Sequence, residues 1–260
     1  MRRVLVVVAA VVAVVAVVVG FRWYLGRQEP APPPPVPTPA PAPTPVPSWV
    51  DGLTPDTADS AIRTAAAGLS GEAEWATWLG ESDLVRRFVA AVALVAEGKS
   101  PRSQLAFLRP RGRFRAVERG GALVADPASY RRYEAVVRVV TSIDPVRAAA
   151  LLGEAMPLLE EAYREIAPPG VPFRDTLLRA LDHLLAVPVP DGPVRLEERT
   201  VTTYRYADPG LETLSDAQKQ LLRLGPSGGR RIQDWLAAFR SALVGEPGAA
   251  SEGEPLHGDG

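Results

Sequence analysis

Eleven of the eighteen residues from 30 to 47, PAPPPPVPTPAPAPTPVP, are proline. Proline has no backbone donor and fixes φ, so neither a helical nor a sheet ladder runs through such a stretch. The segment reads as an extended polyproline II spacer about 50 to 60 Å long. Read as a ligand for a proline-binding module, it lacks the usual arginine-flanked pattern. It therefore separates whatever precedes it from whatever folds after it.

Residues 4 to 21, VLVVVAAVVAVVAVVVGF, contain no charge and are flanked by Arg2, Arg3 and Arg22. As a helix they reach about 27 Å, close to the hydrocarbon thickness of a bilayer. Trp23 and Tyr24 follow, where an interfacial aromatic belt lies. A cleavable signal has a shorter apolar core and a small-x-small exit, whereas this exit reads GFRWYLGR. The expectation is an uncleaved single-pass anchor over residues 1–27, a Pro-rich linker over 28–48, and the remainder beyond the membrane. With Arg2 and Arg3 facing Arg22 and Arg27, the positive-inside rule gives only a slight preference. A short tail before a first span most often stays inside, so the expectation is a cytoplasmic N-terminus with the remainder translocated. The sequence has no cysteine, so lipid attachment through an N-terminal cysteine is excluded, and an oxidising compartment is compatible.

The last stretch, EPGAASEGEPLHGDG over residues 246–260, is acidic and rich in Gly and Pro, and is expected to be disordered. That leaves residues 49–245 as one domain large enough for a core. Outside Arg2, Arg3, Arg22 and Arg27 there remain 25 basic residues, and the same region carries 25 acids, so the domain is formally neutral. Nucleic-acid binders usually carry a net basic domain or a basic face, and no nucleic-acid partner is expected. The chain uses 27 arginines against two lysines and no asparagine, a bias that follows from a GC-rich genome and discounts every arginine cluster.

The domain reads as mainly α with one or two short β-hairpins. Asp126-Pro127, Asp144-Pro145 and Asp208-Pro209 each place a capping acid before proline at a first helical position. The first predicts one helix over PASYRRYEAVVRVVTS, and the second a helix over 145–166 kinked at Pro157. Ser82 or Asp83 is expected to cap a central helix, DLVRRFVAAVALVAE, ended by Gly98, with a narrow polar stripe through Arg86, Arg87 and Glu97. Residues 173–186 align Phe173, Leu177, Leu181 and Leu184. Ser215 starts a helix closed by Gly225-Pro226, and RRIQDWLAAFRSALV aligns Ile232, Trp235, Leu236, Phe239 and Leu243. Phe114 to Asp126 reads as strand, Gly120-Gly121 turn, strand, and Val194 to Tyr206 as a second extended pair.

The stretch FLRPRGRFRAVERGG, residues 107–121, sets Arg109, Arg111, Arg113, Arg115 and Arg119 against a single acid, Glu118. Two readings stand: a charged strand edge that resists aggregation, or a site for an anion or acidic partner, since guanidinium forks suit carboxylate and phosphate. In the hairpin register Arg119 faces Ala122, Glu118 faces Leu123 and Val117 faces Val124. Arg113 and Arg115 then point away from Phe114.

His183 is the domain's one histidine, opposite the leucine stripe and near Arg179, with Asp182 and Asp175 on the same polar side. A hydrolase or transferase would use His183 with Asp182 or Asp175 as general acid/base. No G-x-S-x-G, H-E-x-x-H or phosphate loop accompanies them. No cofactor is expected, and one histidine without cysteine makes a poor metal shell. A further alternative is a membrane-tethered cytoplasmic helix-turn-helix over residues 214–243, offering Arg230, Arg231, Gln233 and Arg240 to DNA, although its turn is longer than usual.

The stretches LVRRFV (84–89), LAFLRP (105–110), DPASYRRY (126–133), DHLLAVPVP (182–190), YRYADP (204–209) and LSDAQKQLLRLGP (214–226) together resemble a bacterial family catalogued only as a domain of unknown function. The similarity covers nearly all of residues 49–243. It implies an N-terminal membrane segment, a Pro-rich spacer and a helical domain in Gram-negative bacteria, and it carries over no catalytic residue. The leading expectation is a non-enzymatic envelope protein whose periplasmic domain binds a protein or a cell-wall component.

Overall fold

The computed structural model describes residues 48–200 and 203–245. The expected membrane anchor, the proline-rich spacer up to residue 47 and the acidic tail lie outside them. Among the described residues no helix is long and apolar enough to cross a membrane. Ten α-helices and two antiparallel hairpins make up this part of the chain.

Helices α1 (Asp59–Ala66) and α2 (Ala73–Leu79) precede the central α3 (Leu84–Ala96). The first two were not anticipated, since at eight and seven residues they are too short for a helical period to stand out. Val85, Val89, Ala91 and Val92 of α3 are buried, leaving the expected polar stripe outward. Its cap differs from the expectation. Asp83 adopts a left-handed backbone with φ of 58° and makes no side-chain cap. The Asp59 carboxylate supplies the cap, accepting from Asp83 N at 2.8 Å and Leu84 N at 2.9 Å.

The strands β1 (Ala116–Arg119) and β2 (Ala122–Ala125) pair in the expected register. Gly120 and Gly121 both take positive φ, which a two-residue turn of this kind requires. Helices α4 (Pro127–Arg131) and α5 (Glu134–Ser142) follow where one helix was expected. The break has a local cause: Arg132 Nε donates to the Ser129 carbonyl at 3.0 Å, the acceptor a continuing helix would offer Tyr133. Tyr133 N bonds Tyr130 O instead.

Helix α6 (Pro145–Arg164) runs on through Pro157. Pro157 and Gly153, whose carbonyl loses its partner, both lie on the exposed face, where water replaces the missing bond. Helix α7 (Phe173–Leu185) comes next, then β3 (Leu196–Thr200) and β4 (Thr203–Tyr206), which pair with a register shift after Glu198. The chain closes through α8 (Pro209–Glu212), α9 (Asp216–Leu222) and α10 (Gly225–Gly245). Gly225-Pro226 opens α10 rather than closing the helix before it, so only Arg223 and Leu224 separate α9 from α10. The glycines explain the extension. A Cβ at Gly228 would meet Val137 at 3.2 Å, and one at Gly229 would meet Val189 at 3.2 Å, so bare backbone is what allows α10 to pack there.

Two apolar clusters result. The first joins Val85 and Val89 of α3, Leu158 and Tyr163 of α6, Phe173 and Leu177 of α7, and Phe239 and Leu243 of α10. Phe173 is fully buried, with ring centres of Tyr163 at 5.5 Å and Phe88 at 6.1 Å. The second joins Ala125, Val137, Val187, Val194, Leu196, Leu221 and Ile232. An antiparallel bridge between Val124 and Arg195 ties the two hairpins together over it. Helix α10 serves both clusters through its two ends.

Candidate functional site

The arginine-rich stretch leaves α3 at Gly98 and reaches β1 as a loop containing one 3-10 turn, Ala106–Leu108. Buried Ser129 anchors its far end: its hydroxyl accepts from Arg115 N at 2.8 Å and donates to Arg115 O at 3.1 Å. Arg132 adds a bond to the Gly112 carbonyl at 2.9 Å. Phe114 turns inward against Tyr204, with ring centres 5.7 Å apart, while Arg113 and Arg115 are exposed as the strand alternation requires.

Arg109, Arg111, Arg113, Arg115 and Arg119 are all exposed, and none of their side chains has a hydrogen-bond or ion-pair partner among the described residues. Arg102, earlier in the same loop, is in the same state. Arg102 lies five residues before the arginine-dense stretch of 107–121, and only the loop that carries both from α3 to β1 brings it into the group. Several other arginines of the domain take carboxylates: Arg86 holds Asp56 and Glu165, Arg138 holds Glu72 and Glu74, and Arg231 holds Glu134. Arg131, Arg147, Arg164 and Arg195 are exposed without a side-chain partner among the described residues, but they are scattered over α4, α6 and the approach to β3.

The loop also walls an apolar pocket of about 200 Å³. Val95, Leu105, Leu108, Leu184, Leu221 and Leu224 line it, and Arg102 and Arg109 line it as well. Of the five arginines singled out in the sequence, the pocket brings in Arg109 alone. No periodicity announces such a cavity, because its walls come from α3, the loop, α5, α7 and α9.

Beside the pocket, His183 Nε2 lies 2.7 Å from Ser215 Oγ. Ser215 is the N-cap of α9 in a reciprocal capping box with Gln218, whose side-chain amide donates to the His183 carbonyl at 3.1 Å. Gly98 closes the group. Its φ is +73° and a Cβ there would stand 3.0 Å from Ser215 Cβ, so glycine is required by both backbone and space. The expected pairing of His183 with a carboxylate is not what the ring makes. Asp182 instead takes Arg240, at 2.6 Å from Nε, and Asp175 is exposed without a partner among the described residues. The described residues hold no group of three or more acidic, histidine or cysteine side chains placed to share a metal ion.

The groove-facing residues of the helix-turn-helix alternative are engaged within the fold. Arg230 holds Asp191, and Arg240 holds Asp182. Gln233 donates to the carbonyls of Leu184, Leu185 and Val187, satisfying the open end of α7. Under the second cluster two tyrosines titrate late. Burial pushes the Tyr130 phenol up to about 12, and it pushes Tyr206 up as well. A hydrogen bond from Tyr206 N at 3.0 Å holds the Glu212 carboxyl below its usual range, with Lys219 assisting.

No curated protein and no solved structure matches the chain. Residues 84–240, from the start of α3 almost to the end of α10, match the family described as "Protein of unknown function (DUF3014)", and the chain belongs to that family.

Proposed function

We propose that residues 49–245 are a non-catalytic binding module, tethered by the apolar segment of residues 4–21 and held off the bilayer by the proline spacer. The module faces the periplasm and binds an acidic protein or cell-wall component through the loop of residues 102–119. One observation carries this reading: six exposed guanidiniums stand without partners among the described residues on one loop of a formally neutral domain. Such groups keep their full capacity for carboxylate and phosphate. The hydrolase alternative has no comparable support, because His183 is spent on a helix cap and Asp182 on Arg240.

Two measurements test it. A C-terminally tagged protein is digested by protease in intact spheroplasts if the domain is periplasmic; protection until lysis would reverse the topology. A photo-crosslinking residue at Arg111 or Arg113 yields a discrete adduct in living cells, while one at exposed Arg164 does not. Identical patterns at all three positions would remove the binding face.

A further inference from the structure

The apolar pocket and the free cations are one feature. Arg102 and Arg109 line the cavity yet are exposed, so their charges stand where it opens to solvent. The walls beneath are aliphatic, from Val95, Leu105, Leu184 and Leu224 among others. A short aliphatic group with an anion directly attached satisfies both parts at once. A long acyl chain does not, since it needs an enclosed tunnel for many methylenes, and a cavity of about 200 Å³ open to solvent hides a side chain or two. Phosphate or nucleic acid leaves the aliphatic walls unused.

We infer that this pocket binds the free C-terminus of a partner polypeptide ending in an aliphatic residue, with the side chain among Leu105, Leu184 and Leu224 and the carboxylate on Arg102 and Arg109. The inference rests on the reading of the domain as a binding module and names the chemistry of its partner. It also separates the arginines into two uses: Arg102 and Arg109 read the chain end, and Arg111, Arg113, Arg115 and Arg119 meet whatever precedes it.

The test uses the full chain in lipid nanodiscs and a library of N-terminally labelled hexapeptides randomised at the last three positions, with the same library amidated at its C-terminus. Peptides ending in aliphatic residues are retained, and amidation weakens retention at least tenfold. The double variant Arg102→Gln/Arg109→Gln also loses at least tenfold, with an unchanged unfolding midpoint, because neither side chain has a partner to lose. Equal retention of amidated peptides, or full binding by the double variant, overturns the inference. So does displacement chemistry in which octanoate binds with arginine dependence and no peptide is retained, which assigns the pocket to a small amphiphile. Crosslinked adducts at Arg111 and Arg113 together with no peptide retention sink the pocket's assignment alone; loss of both sinks the binding module too.

Discussion

Around the first apolar cluster Arg86 lies between Asp56 at 2.6 Å and Glu165 at 2.7 Å, whereas beside the second cluster Arg102, Arg109 and their neighbours meet no acid among the described residues. The hydrogen bonds that Arg86 donates to Glu165 and Asp56 raise its pKa, and in return Arg86 holds the Glu165 carboxyl below its usual range. Buried polar atoms divide similarly. Tyr163 and Thr176 share a 2.7 Å bond in the first cluster, while the buried Tyr130 hydroxyl packed by the second has no partner. Exposed ion pairs contribute little to stability, so the difference is not one of strength. It separates an arginine spent on the fold from a loop whose guanidiniums have no partner among the described residues.

The comparison breaks most readily at Phe173. Phe173→Ala empties the fully buried centre of the first cluster and is expected to cost about 3–5 kcal/mol in urea unfolding; a loss near 1 kcal/mol would mean that this half is loosely packed. Gly225→Ala probes the second half. Its Cβ would fall 2.6 Å from Tyr130 Cγ at a φ of +77°, and a loss of roughly 1–3 kcal/mol is expected from the same assay. Asp59→Ala removes the distant cap of α3 and should cost about 1 kcal/mol, with faster hydrogen exchange at Asp83 and Leu84.

Three smaller effects sharpen the contrast. Tyr130→Phe deletes a buried hydroxyl that has no partner, so stability at neutral pH should rise by up to about 1 kcal/mol. The sign at high pH follows from linkage. A phenol whose folded pKa is raised to about 12 keeps its contribution below its unfolded value, about 10, and loses it as pH rises through that window. Unfolding midpoints at pH 9 and pH 11.5 should therefore differ less in the variant, with Tyr206 leaving a residual slope. Smallest is Arg102→Gln/Arg109→Gln, expected within about 0.5 kcal/mol of the parent. Arg86→Gln should instead lower the midpoint at pH 7, and the loss should shrink as acid protonates Glu165. Equal effects of the two arginine changes would erase the distinction.

Legibility followed the range of each interaction. Asp126, Asp144, Asp208 and Ser215 were readable as caps and accept from Ala128 N, Arg147 N, Gly210 N and Gln218 N. The first hairpin was readable to its register, because Gly120-Gly121 leaves one short turn and the alternation fixes the rest. The helix break at Arg132 was not, since a guanidinium folding back on Ser129 O leaves no trace in periodicity. His183 was legible as the lone histidine, but its partner Ser215 stands 32 residues away in the chain. The arginine stretch was plain in the sequence; which of its members border a cavity was not.

The sequence by itself determined the class of structure, the local caps and the charge bias, because each depends on residues within a turn or a strand pair of one another. Tertiary structure alone decided that Asp59 caps α3, that Glu160 accepts from Phe173 N at 2.8 Å to cap α7, and that Gln233 closes the far end of α7. It likewise decided that Arg86 finds two acids while Arg109 borders an apolar pocket. The physical reason is the same in each case. A helix end or a cation accepts any suitable group within about 3 Å, and only the packing of distant segments determines which group, if any, is carried there.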